Sequence, residues 1–233
     1  MPFSFNAFRS NRDAPFAFAD ANMECINVEG PLMRDLRFWL TSLALVVSVG
    51  TANAGVLYDE SVSGDLSNLP GTPSVLGSLA LGDNEVIGGV FGRLLDSGVR
   101  EMDPEFFTVT VPAGSYLGAI VLKSYTYSNT AHPWSYLAVQ AGGAITSTTS
   151  GAALLGTCYP GSPGETVGSD LLPALAANTP WVTLGGGSSQ FSGPLLAGTY
   201  TFWIQETAGT VTYDLNFQLR AAPEPSTLAA ASL

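Results

Sequence analysis

Between residues 55 and 219 no stretch sustains the 3.6-residue apolar period of a helix over three turns. Short alternating runs take its place, punctuated by glycine and proline. Such a chain buries one face of each run, and its fold class is all-β. Residues 105–111 show the pattern plainly. Phe107, Val109 and Val111 share one face and Thr108 and Thr110 the other, and Pro112-Ala113-Gly114 ends the run as a turn. Residues 116–125 are more continuously apolar, which predicts a central strand, and residues 135–140 predict a further short one. Near the end, residues 199–205 set Tyr200, Phe202 and Ile204 on one face. Residues 212–219 then turn Tyr213, Leu215, Phe217 and Leu219 inward. With Thr207-Ala208-Gly209 between them, these two runs read as a hairpin. Residues 171–177 allow about one helical turn, because Pro173 and Pro180 oppose more. The expected architecture is a single antiparallel β-sandwich or jelly-roll-like domain over residues 55–220.

Ahead of that domain the sequence changes character. Arg34 and Arg37 precede an apolar run, residues 38–49, and Ala52-Asn53-Ala54 follows with small residues at both key positions. The run of about 12 residues suits a cleavable secretory signal and is short of the roughly 20 that a membrane span needs. Residues 33–54 are therefore read as a signal peptide with a short signal helix, cut between Ala54 and Gly55. Residues 1–32 are read as an upstream extension or a long leading region. The expected location is outside the cytoplasm: periplasm, outer surface or extracellular space. Contact with the membrane is then transient, through the export machinery.

Charge narrows the partners. The chain holds 8 Lys+Arg against 19 Asp+Glu, a net charge of −11. After the expected cut, Arg93, Arg100, Lys123 and Arg220 are the only basic side chains. No basic stripe remains for an anionic polymer, so nucleic acid is excluded as an expected partner. Of the two cysteines, Cys25 lies upstream of the cut and leaves Cys158 without an internal disulfide partner.

Calcium is the one candidate cofactor. It takes roughly six to eight hard oxygens, and Asp96, Glu101, Asp103 and Glu105 crowd one acidic loop. Asp59, Glu60 and Asp65 form a second acidic cluster. Plain solvated turns, with Arg93 and Arg100 as ion-pair partners, are the alternative. A second candidate is aromatic: Tyr127, Trp134 and Tyr136, with Tyr125 and His132 nearby and Trp181 and Trp203 able to join. Aromatic faces stack on the apolar faces of sugar rings, and they also pack cores. Catalysis finds little support. His132 is the only histidine and no G-x-S-x-G elbow is present. A carboxylate pair acting on glycans stays open, because its spacing is a three-dimensional matter.

Two resemblances add to this reading. Asp103-Pro104-Glu105-Phe106-Phe107-Thr108-Val109-Thr110-Val111-Pro112-Ala113-Gly114, the late Gly198-Thr199-Tyr200 run and Tyr213-Asp214-Leu215 resemble the bacterial pre-peptidase C-terminal domain family. That resemblance implies a β-sandwich outside the cell, calcium near one end in some members, and a targeting or folding role beside an exported enzyme. Pro223-Glu224-Pro225, within residues 221–233, resembles the start of a PEP-CTERM sorting tail. It implies an exported protein handled by dedicated sorting machinery. The functional expectation is a non-catalytic surface or matrix protein whose sandwich binds a polysaccharide or a surface protein. The alternatives are the targeting or folding role and a carboxylate-dependent glycan-active enzyme.

Overall fold

The computed structural model describes residues 55–131, 133–177 and 191–223. The expected signal and extension, Ala54, His132, Trp181, Glu224 and Pro225 lie outside those residues. Gly55 opens the first strand and Pro223 is exposed just past the last.

The described residues form an all-β sandwich. Its elements in chain order are β1 (Gly55–Asp59), α1 (Glu60–Ser63), β2 (Ser74–Ser78), β3 (Gly82–Leu94), β4 (Arg100–Asp103) and β5 (Glu105–Val111). β6 (Ser115–Tyr127), β7 (Tyr136–Ala141), β8 (Gly156–Cys158), α2 (Leu172–Ala177), β9 (Gly198–Gln205) and β10 (Gly209–Ala221) follow. One sheet runs β1-β3-β10-β6, with β4 also on β3; the other runs β2-β5-β9-β7-β8. Most pairings are antiparallel, as expected. β1 on β3 and β2 on β5 are parallel, which the alternation did not disclose.

The inward faces match the alternating pattern. Phe107, Val109, Val111, Phe202, Ile204, Tyr213, Leu215 and Phe217 are all buried in one core. Phe107, Phe202 and Phe217 form its aromatic centre, and Phe202 meets Phe217 edge-on at 5.1 Å. Burying each such side chain contributes about 1.5–3 kcal/mol.

Two topological expectations need correction. The final pair of strands is not a hairpin: β9 lies in one sheet and β10 in the other. Each strand turns an apolar face to the main core, and crossing the sandwich lets both face it. Glu206 fixes the crossing, since its Oε1 accepts the N–H groups of Thr207 at 2.6 Å and Ala208 at 2.8 Å. β6 is also not central, because it closes the edge of its sheet beyond β10. Its continuous apolar character has another cause. Loop residues cover the free edge: Ile120 N–H donates to Asp170 Oδ1 at 2.9 Å, and Leu117 N–H to the Leu195 carbonyl at 2.8 Å.

The outer face of the β5-β9-β7 region is also apolar. Phe106, Ala138, Ile145, Leu154 and Trp203 form a second buried cluster there, with Tyr136 against it. Ile145 and Leu154 come from the connection after β7, which folds back over the sheet.

Candidate functional site

Carboxyl groups from the two acidic regions meet at one point, in a combination the sequence did not suggest. Asp59 caps α1 by accepting from the Ser61 N–H at 2.9 Å, and Gly64 ends that single turn at a φ of +93°. The turn directs Glu60 toward β3. Glu60 Oε2 accepts the Gly89 N–H at 2.7 Å, and its Oε1 accepts the Leu66 N–H at 3.0 Å. Glu105, at the start of β5, is fully buried. It accepts the Gly89 N–H at 3.2 Å and the Tyr213 hydroxyl, and its carboxyl lies beside that of Glu60. Asp65 completes the group: one carboxylate oxygen from each of Glu60, Asp65 and Glu105 lies within 4.8 Å of the others.

Two carboxyl groups this close and partly buried disfavour both being charged. Burial above all pushes the Glu105 carboxyl up to about 10, and the charge of Glu60 pushes the same way. The Tyr213 and Gly89 hydrogen bonds pull it partly back. Tyr213 is held well above its ordinary value by burial and by Glu105. Calcium fits this donor set poorly. Its oxygens would compete with N–H and O–H groups that already engage both carboxyls of Glu60 and Glu105, and three carboxylates are few for a cation that takes roughly six to eight oxygens. The arrangement is a carboxyl knot, with Glu105 held protonated by burial, that ties α1 to β3, β5 and β10.

The four acids expected to share a cation do not converge. Glu101 pairs with Arg93 across β3 and β4 at 2.5 Å, with both side chains exposed. Asp96 sits in the turn beyond the last β3–β4 pair, Leu94 with Arg100. Asp103 adjoins Asp65 and Asn68; burial, then the Asp65 charge, raises its carboxyl, against a lowering hydrogen bond from Asn68. Glu105 has by then crossed into the other sheet. Adjacency in sequence fails because the chain changes sheets at Pro104.

The expected aromatic platform likewise divides. Tyr125 and Tyr127 lie opposite the inward-facing Tyr213 and Val211, so they line the core side of β6, with ring centroids 6.1 Å apart. Tyr127 is 44% exposed at the sheet end. Tyr125 instead bonds through its hydroxyl to Ser135 Oγ at 2.9 Å. Trp134 is half-buried just before β7. Tyr136 alternates with buried Leu137 and so faces the opposite way, onto the outer cluster. There its ring stands 4.7 Å from Trp203 and 5.9 Å from Tyr159. Tyr136 Oη and Trp203 Nε1 are buried and find no hydrogen-bond partner among the described residues. Trp203 does join the group, as the sequence allowed.

Sequence reasoning missed Tyr213 as a site residue, reading it only as core. One signal was available: Gly88-Gly89 within a strand marks a close approach. A Cβ on Gly88 would lie 2.7 Å from the Tyr213 hydroxyl and 3.1 Å from Glu60 Cδ. Gly88→Ala should therefore loosen the knot and destabilise the fold by about 2 kcal/mol. Calorimetry should read this as a melting-temperature loss of roughly 5 °C. An unchanged melting temperature would show that the knot has room to spare.

Cys158 is buried, and burial followed by the neighbouring Glu165 raises its thiol well above the ordinary value. It is held as a thiol and is a poor nucleophile. Among the described residues no helix is long and apolar enough to cross a membrane. Compared with known proteins, the chain matches no family model, no curated protein and no solved structure.

Proposed function

We propose that the chain is an exported, non-catalytic β-sandwich that holds a polysaccharide outside the cytoplasm. One observation carries the reading: three aromatic rings, Tyr136, Tyr159 and Trp203, gather on the outer face of a sheet with two polar ring atoms left unpartnered. Binding sites for small organic groups combine apolar and aromatic walls with a few placed polar atoms. Aromatic rings suit the CH faces of sugars, and the polar atoms suit their hydroxyls. Export rests on the signal pattern of residues 33–54 and on Pro223-Glu224-Pro225. The non-catalytic part rests on the carboxyl pair. Glu60 and Glu105 are turned inward and hydrogen-bonded to backbone N–H groups, so they offer a substrate no acid and base across a groove. The reading as a targeting or folding partner stands on the family resemblance alone.

A glycan array probed with the purified full-length chain tests the proposal. The expected result is selective retention on a subset of polysaccharides, insensitive to added EDTA. No retention on any polysaccharide would reject it.

A further inference from the structure

Resting on that reading, we propose that the ligand is a neutral hexose unit, bound against Trp203 and Tyr136 beneath a lid made by residues 142–155. The site is built across three strands. Phe106, Trp203 and Ala138 are directly cross-strand on β5, β9 and β7. Phe106 stacks on the indole at 5.6 Å and 23°. Ala138 is small, and Tyr136, two residues before it on the same face, stands edge-on to the indole over that gap. Sheet faces turned from the core are ordinarily wet, yet Trp203 here is only 3% exposed.

The cover is the connection from β7 to β8. It leaves the sheet at Gly142, whose φ of +103° favours glycine, followed by Gly143. Ile145 and Leu154 are its two buried apolar contacts with the cluster. Between them, residues 146–151 are Thr, Ser, Thr, Thr, Ser and Gly. Its bonds to the rest of the fold gather toward its two ends. At the near end Gly142 N–H donates to the Thr199 carbonyl at 2.8 Å, Thr201 Oγ1 to the Gly142 carbonyl at 2.8 Å, Ile145 N–H to the Pro70 carbonyl at 2.9 Å, and Thr146 to Gln140 Oε1 at 3.2 and 3.3 Å. At the far end Leu155 N–H donates to the Val139 carbonyl at 2.8 Å. A segment with two apolar pins and a polar span releases more readily than a strand of either sheet.

The unpartnered atoms select the chemistry of the occupant. An indole N–H and a phenol hydroxyl left dry in an apolar cluster are costly. A ligand with hydroxyl groups would satisfy both. The basic side chains of the described residues, Arg93, Arg100, Lys123 and Arg220, all stand on strands of the other sheet, and the adjoining acid Glu165 is engaged by the Tyr159 N–H at 2.5 Å. The protein carries a net charge of −11. An anionic sugar would meet repulsion with no cationic partner in the cluster, and a cationic one would lack a paired carboxylate. A neutral ring with an apolar face and a rim of hydroxyls meets each condition, its apolar face taking the place of Ile145 and Leu154 when the lid swings out.

Calorimetric titration of the full chain with a soluble neutral glucan, a galactomannan and polygalacturonate tests this. Trp203→Phe keeps a ring and removes the N–H; Tyr136→Phe removes the hydroxyl; Ile145→Ser releases one pin of the lid. At least one neutral polymer should bind and polygalacturonate should not. Each ring variant should weaken binding about tenfold; Tyr136→Phe should do so without lowering the melting temperature, because it removes only one unsatisfied polar atom, whereas Trp203→Phe should also lower it through the smaller ring. Ile145→Ser should bind a few-fold more tightly, since a closed lid taxes the apparent affinity. Wild-type affinity in both ring variants, or a preference for polygalacturonate, would overturn this site while leaving polysaccharide binding intact. A wild-type chain that retains no glycan on the array would instead remove the functional reading beneath it.

Discussion

Glu105→Gln should flatten a fall in stability that the wild-type chain shows as pH rises. Folded Glu105 keeps its proton up to about 10, against an ordinary value of 4.5, chiefly because it is buried. The unfolded chain releases that proton near the ordinary value. Between the two, the folded state binds the extra proton, and linkage makes stability drop with pH. The contribution is whole below pH 4.5 and is lost progressively toward about 10. The slope from this one group is at most about 1.4 kcal/mol per pH unit. Glutamine keeps the shape but has no proton to lose. Asp103, Glu165 and Asp214 are raised by burial too, so a shallower slope of the same sign should remain. Urea unfolding from mildly acid to mildly alkaline buffer measures the difference. Parallel pH dependences for the two proteins would show that Glu105 ionises in place. Calcium added against EDTA gives the complementary result: a protonated Glu105 predicts no shift in melting temperature, a bound cation a rise.

The largest steric effect should come from Gly156→Ala. Gly156 opens β8 where α2 lies flat against it. A Cβ there would press into the Leu175 carbonyl oxygen and lie 2.6 Å from its carbonyl carbon. Backbone cannot rotate aside as a side chain can. α2 is itself anchored, with Leu172 and Leu175 in the core and its first N–H held by Asp170 Oδ1 at 3.0 Å. Either the helix lifts or β8 leaves β7. The expected loss is about 3 kcal/mol, or roughly 10 °C in melting temperature for a domain of this size. Gly143→Ala is the matched control, because its Cβ would meet nothing within 4 Å. Equal melting temperatures for the two variants would refute the close contact.

What could be read in the sequence follows from how each strand meets its surroundings. β5, β9 and β10 have one face each in the main core, so their alternation was plain. β3 was obscured by glycine. Val86, Gly88 and Val90 do alternate inward, but the middle position is empty because Tyr213 fills it from β10. Sheet membership was not legible at all. Thr207-Ala208-Gly209 is as able to cross between sheets as to turn within one, and only the placement of Phe202 against Phe217 decides. The candidate sites failed for the same reason. Asp103 and Glu105 are neighbours in sequence on different sheets, and Tyr127 and Tyr136 take opposite faces. Glu60 and Glu105, far apart in the chain, meet because β1 lies parallel beside β3 and carries α1 with it. The Ser- and Thr-rich cover over Trp203 had no signature beyond its composition.

The position of β10 dictates the order in which the molecule can assemble. β10 lies between β3 and β6, and its Phe217 carbonyl accepts from Asn84 Nδ2 across 133 positions of chain. Until β10 arrives, β6 has no strand partner and β3 has only β1 and β4. Synthesis from the N-terminus therefore yields a nascent chain with two long unpaired strand edges and Phe107 uncovered. Contacts this distant in sequence slow folding, and such edges invite pairing with other chains in the interval. A sandwich of this topology cannot close until β10 has been made and seated between β3 and β6.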